Sequence, residues 1–367
     1  MDEVAQKFKK SPDKIRQWES GEAKPTVKQA RKLAAMYERA FTEFFLPEPP
    51  RLPQSETIQD FRLHRTLKEP ASEREAQLIQ DWAMAQRDSA LDLYAEIREK
   101  PPEIDVVHFA SITDSPEELA TKTREWIRFG ENKQFNLPNS SKYRLPTILR
   151  NLIESVGILT LKRSELTALG IRGLSIAKFP LPVIVLGGEA DTAQAFTLAH
   201  ELGHILLKVT AISGPRSRDY ESIPEEKWCD QFAASFLMPR SSIEKTLGPV
   251  PVSPMAEFAD EELEKIAGDF RVSPHAMLIR LMHLKYVAAE YYWQKKKAEF
   301  EKIEANASGF AKSKYYGSRY RNQQGDLFTG LVLEAWSSGN ITNHHAAQYM
   351  GIKNIQNLDD IRKEYFK

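Results

Sequence analysis

The sequence predicts a multi-domain α+β protein, mostly helical, with one small sheet. Three observations carry that expectation. Apolar residues recur at helical spacing through most of the chain. Two short runs rich in Val, Ile and Leu, "VGILTLKR" (156–163) and "LPVIVLGG" (181–188), read as buried strands. Proline clusters such as "LPEPPRLP" (46–53) cannot continue a helix and divide the chain into blocks at 1–50, 51–105, 106–250 and 251–367. A chain of 367 residues can hold two or three compact domains of this kind.

Composition removes several function classes. The formal net charge is zero, so any attraction to nucleic acid or membrane must be local. The single cysteine, Cys229, excludes an intramolecular disulfide and fits a reducing compartment. No apolar run approaches the roughly 20 residues that span a bilayer. The opening "MDEVAQKFKKSPDK" lacks the apolar core of a signal peptide. The expectation is a soluble, cytoplasmic protein with no membrane partner.

In the first block, Val4, Ala5 and Phe8 face inward on a short helix, and a turn follows at Lys10 and Ser11. Ser11 can cap the next helix with Pro12 at its first position, and Gly21 ends it. That helix buries Ile15 and Trp18 and presents Asp13, Lys14, Arg16 and Gln17 outward, with Lys24 just beyond. A DNA-reading helix is built in this way, its exposed N-terminal residues facing bases and nearby lysines facing phosphates. The competing reading is a small helical interaction module with a solvated charged face. In the second block a helix over residues 72–100 places Leu78, Trp82, Ala85, Leu91 and Ala95 at helical spacing.

The third block carries the chemistry. In "FTLAHELGHILL" (196–207), His200 and His204 stand four apart, hence on one face of a helix, with Glu201 beside it. A catalytic zinc needs three protein ligands and an open position for water. A neighbouring carboxylate can take that water's proton, the role read for Glu201. The apolar flanks bury this helix, where polar side chains need a reason to be. The preceding "VIVL" suggests a sheet edge to which an extended peptide could add.

A third ligand is sought in "PEEKWCDQFAASFLMP" (224–239), where Glu226 and Asp230 share a helix face. Glu226 is assigned to the ion and Asp230 to the free ring nitrogen of a histidine, with Glu225 the nearest competitor for ligation. Cys229 lies one position off that face and reads as a small buried residue. Tyr220, Arg218 and His275 are candidates for stabilising an oxyanion. His283, His344 and His345 have no spacing that builds a site. The fourth block is mostly helical, with "KSKYYGSRYR" (312–321) read as a loop. That loop is solvated, or else it meets nucleic acid through its tyrosines and basic residues.

These motifs together resemble the ImmA/IrrE family of metallo-endopeptidases, in the form that fuses a Cro/repressor-type helix-turn-helix to the peptidase. "IRQWESGEAKP" and "AFTEFFLPEPP" are similar to the helix-turn-helix and its exit, "FTLAHELGHILL" to the zinc helix, and "EKWCDQFAASFLMP" to the second zinc motif. "FRVSPHAMLIRL" and "GNITNHHAAQYMGIKNIQNLDDI" resemble later helical segments of longer members. The resemblance implies a zincin-like, gluzincin-type domain with Zn2+ held by His200, His204 and Glu226, and Glu201 as general base. It also implies a protein substrate, a partner transcriptional repressor whose cleavage releases stress or mobile-element genes, with double-stranded DNA as a further partner. Two departures stand out: the helix that usually opens such a helix-turn-helix has no counterpart, and Gly187–Gly188 occupy a place where a polar residue is expected. The rival reading is a DNA-binding regulator or antitoxin-like module whose zinc is structural.

Overall fold

The computed structural model describes residues 2–37, 59–60, 70–135, 137, 145–213, 223–306, 316–352 and 354–366. The chain divides into two compact units, Met1–Thr57 and Ile58–Lys367.

The first unit contains α1 (Asp2–Phe8), α2 (Pro12–Glu19) and α3 (Val27–Tyr37). Ser11 caps α2, its hydroxyl accepting from the Lys14 amide at 3.3 Å, and Pro12 opens the first turn. Thr26 and Gln29 satisfy each other's backbone amides at the start of α3, at 2.8 and 3.3 Å. Val4, Ala5, Ile15 and Leu33 form the core, with Phe8, Trp18 and Met36 packed around them.

The second unit is built on a five-stranded sheet in the order β1-β5-β3-β4-β2. Its strands are β1 (Gln59–Asp60), β2 (Leu159–Lys162), β3 (Gly173–Ile176), β4 (Val183–Leu186) and β5 (Ala211–Ser213). β3 runs antiparallel to β4 and β5, while β2 pairs with β4, and β1 with β5, in parallel. The register sorts side chains cleanly. Leu159, Leu161, Leu174, Ile176, Val183, Val185 and Ile212 face one core, shared with α4 (Pro70–Glu96). Ile184 and Leu186 face the other, shared with α5 (Pro116–Trp126), α6 (Leu145–Glu154), α8 (Asp191–Leu206) and α9 (Pro224–Leu237). A four-residue helix, α7 (Glu165–Ala168), links β2 to β3.

The remaining helices are α10 (Arg240–Leu247), α11 (Asp260–Phe270), α12 (Pro274–His283) and α13 (Ala289–Tyr291). A π-helical turn, Tyr292–Lys296, leads into α14 (Lys297–Asn306). Then come α15 (Tyr316–Gln324), α16 (Asp326–Ser337), α17 (Asn343–Tyr349) and α18 (Asn357–Tyr365).

Several expectations change here. Residues 58–367 form one compact unit, and buried polar side chains run between distant segments of it. Arg87 of α4 donates to Pro180 O at 2.7 Å and Leu181 O at 3.1 Å. Arg150 of α6 donates to Thr160 O and Asn322 O, both at 2.7 Å. The buried Glu154 carboxylate accepts the first amides of α16, Asp326 N at 2.8 Å and Leu327 N at 2.9 Å. "VIVL" is no edge: β4 lies between β3 and β2. Residues 316–321, read as part of a loop, are helical, and Arg321 forms a two-pronged pair with Asp326 at 2.6 and 2.8 Å that fixes the α15–α16 junction.

Candidate metal centre

α8 is buried along nearly its whole length, with Leu198, Leu202, Ile205 and Leu206 in the core. α9 packs across it. Gly203, between the two histidines, permits that approach: a Cβ there would stand 3.1 Å from Cys229 Sγ and 3.3 Å from Phe232 Cδ1. Cys229 is thus a helix-packing residue, and burial pushes its thiol well up, away from the thiolate that would bind a metal.

The crossing of α8 and α9 brings three donors together. His200 Nε2 and His204 Nε2 lie 3.1 Å apart, and each is 3.1 Å from an oxygen of Glu226. His200, His204 and Glu226 are all buried, and their donor atoms lie within 4.8 Å of one another. Glu225 and Cys229 are outside this cluster. Asp230, one turn after Glu226, meets His200 Nδ1 at 3.1 Å. Its carboxylate therefore fixes the ring so that Nε2 faces the cluster.

The imidazoles and carboxylates of the site are electrostatically coupled. Burial works against a positive His200, yet its contacts with Asp230 and Glu226 prevail and push it up to about 10. Burial raises Glu226, and the two histidines outweigh it to leave the carboxyl below its ordinary value. Both Glu226 oxygens are buried without a hydrogen bond of regular geometry, although the imidazoles are 3.1 Å away. Two imidazoles and a carboxylate converging on one point are the donor set of a divalent transition metal, and these residues fit such an ion.

Glu201 is fully buried, and neither of its oxygens makes a hydrogen bond of regular geometry among the described residues, with the Ser213 hydroxyl as the nearby donor. Burial raises its carboxyl, opposed by His204 and His200. It lies against β3 at Gly173, where a Cβ would come within 2.8 Å of Glu201 Cδ. Gly173 was not singled out from the sequence, and no local pattern marks it: only its register beside the helix does.

The other candidates lie elsewhere. His275 meets the Tyr292 hydroxyl at 2.9 Å and stacks on Phe300, while Arg218 and Tyr220 lie outside the described residues. His344 and His345 are exposed. At Gly187 a Cβ would be tight, 3.0 Å from Thr167 Oγ1 and 3.1 Å from Arg172 O, whereas at Gly188 it would meet ordinary contacts of 3.4 Å or more. On α2, Asp13 pairs with Arg16 at 3.2 Å and Lys14 Nζ donates to Gln17 at 3.1 Å, and Lys24 is exposed.

Searches of curated proteins and of solved structures return no match. Residues 154–282, about a third of the chain, match the family model described as the IrrE N-terminal-like domain, peptidase family M78, and this stretch holds β2 to β5 and all the residues of the cluster. The part of the chain that builds the three-donor centre is therefore similar to metallopeptidases of the IrrE/ImmA type.

Proposed function

We propose that the chain is a zinc-dependent endopeptidase of the ImmA/IrrE kind that cuts a partner transcriptional repressor. The observation that carries the reading is the convergence of His200, His204 and Glu226 with a buried carboxylate, Glu201, on the same helix turn. His200, His204 and Glu226 would hold the ion. When bound, zinc supplies Lewis acidity for a scissile carbonyl and for a water. Glu201 would accept that water's proton and pass it to the leaving amine, and burial raises its carboxyl above the ordinary carboxylate value. Asp230 keeps His200 in the ligating tautomer.

The rival reading is a structural zinc, which would be closed by four protein ligands. Removing metal with 1,10-phenanthroline should abolish cleavage of the repressor and zinc should restore it. Cleavage that persists in metal-free protein would refute the assignment.

The first unit is read as the DNA-binding part. Its capped helix α2 carries Asp13, Lys14, Arg16 and Gln17, and the exposed Lys24 beyond it is read as a phosphate contact. Replacing Lys24 with Ala should weaken binding to all duplexes and lower the salt dependence by about one unit of slope, measured by fluorescence anisotropy. An unchanged slope would remove Lys24 from the interface.

A further inference from the structure

The reading of Glu201 as the base leaves one question: what holds a fully buried carboxylate whose two oxygens make no hydrogen bond of regular geometry among the described residues. The sheet beside it supplies an answer. In the antiparallel pairing of β3 with β5, Gly173 stands directly opposite Ser213, and Ser175 opposite Ala211. Directly paired residues point to the same face, and so do residues two apart on one strand. The intervening pair, Leu174 and Ile212, faces the core shared with α4. Gly173, Ser175, Ala211 and Ser213 therefore all face α8.

At Gly173 that face touches Glu201, since a Cβ there would overlap the carboxylate. Ser213, its direct neighbour across the ladder, points the same way. Ser213 is 3 % exposed, its Oγ makes no other hydrogen bond of regular geometry among the described residues, and its hydroxyl interacts with the Glu201 carboxyl. A buried hydroxyl and a buried carboxylate on facing elements each remove the other's desolvation cost by pairing.

We propose that Ser213 is the positioning residue for Glu201: its hydroxyl donates to the carboxylate and fixes the rotamer in which Glu201 faces the three-donor cluster. Gly173 is the complementary half of this arrangement, a strand position left empty so that the carboxylate fits between helix and sheet. Ser213 is not one of the three donors and acts through Glu201. The inference rests on the reading of Glu201 as the residue beside the metal-bound water.

Acetohydroxamic acid tests it without a known substrate. A hydroxamate binds zinc through two oxygens and needs a correctly turned carboxylate beside the metal to take its proton. The zinc-loaded full chain is titrated with acetohydroxamic acid by calorimetry, with zinc content and thermal unfolding measured on the same samples. Ser213→Ala should bind the probe about tenfold more weakly, the loss of one hydrogen bond to a charged group, with zinc content and melting unchanged. Ser213→Thr, which keeps the hydroxyl, should bind as the wild type does. Ser175→Ala removes an equally buried serine from the same face and should also leave affinity unchanged. Should Ser213→Ala fail to fold, Ser213→Cys, near-isosteric and a poorer donor, carries the same comparison.

Wild-type affinity in Ser213→Ala, with affinity lost in Glu201→Gln, overturns the role of Ser213. An equal loss in Ser175→Ala overturns it too, because the effect would then be general packing. Unchanged affinity in Glu201→Gln would instead sink the reading of Glu201 itself, and the proposal with it.

Discussion

Asp230 meets His200 Nδ1 while His200 Nε2 faces Glu226, so one imidazole is held at both nitrogens. Carboxylates that orient a ligand histidine in this way typically contribute 10–100-fold to metal affinity. Asp230→Ala should therefore weaken zinc binding by about that factor in competition with a chromophoric chelator; an unchanged affinity would remove Asp230 from the centre. Gly173 makes a different kind of prediction. Gly173→Ala drives a methyl group into the Glu201 carboxylate, so it should retain zinc and lose most cleavage activity. Full activity in that variant would show that Glu201 works from another rotamer. At this scale the sequence is most informative where spacing fixes geometry. His200, Glu201 and His204 share one helix, and Glu226 and Asp230 share another, so helical periodicity groups them within each helix, while the crossing of the two helices separates Glu226 from Glu225. Gly173 and Ser213 are invisible to it, because their relation to Glu201 arises from strand register.

Long amphipathic helices are readable as elements, since many residues report on one period. α4, α8 and α9 all fall close to the stretches their apolar spacing marks. The strands divide. β2 and β4 carry Val, Ile and Leu and are recognisable, whereas β3 is "GLSI" and β5 only "AIS". Four residues or fewer, with Gly and Ser turned toward the helix, give no alternation to detect. The helical start of α15 is equally hidden, because its polar sequence is held by the Arg321–Asp326 pair and by packing against α18. The junction into α16 is a sensitive point. Gly325 has φ +79°, and a Cβ there would stand 2.5 Å from Thr160 O. Gly325→Ala should cost about 2 kcal/mol or more in urea unfolding, from the left-handed backbone and the overlap combined. A change under about 0.5 kcal/mol, the range of ordinary surface substitutions, would mean that the junction relaxes freely.

For the whole molecule, the division into Met1–Thr57 and Ile58–Lys367 falls just after the proline cluster at 46–53, while distant segments of the second unit are tied together by buried side chains. Proline clusters separate segments along the chain, yet Arg87, Arg150 and Glu154 rejoin those segments in space. A similar long-range tie, between α5 and α12, sets part of the response to acid. Glu117 accepts from Arg280 Nη2 at 2.7 and 2.6 Å; burial raises its carboxyl, but Arg280 prevails and holds it below the ordinary value of 4.5. A carboxyl depressed on folding stabilises the protein above its unfolded value, and that stability fades as pH falls through the folded value. Glu117→Gln should therefore flatten the loss of stability below about pH 4.5, followed by thermal unfolding across pH. An identical acid limb in both proteins would show that this pair adds nothing to the response.

The account as a whole stands on one carboxylate beside one metal. Wild-type and Glu201→Gln chains, each loaded with zinc, are to be incubated with the partner repressor and the cleavage rate followed by mass spectrometry, with bound zinc counted in the same samples. The account predicts equal zinc in both and a rate at least about 100-fold lower in the variant, the contribution of a general base. Cleavage by Glu201→Gln at the wild-type rate would contradict it.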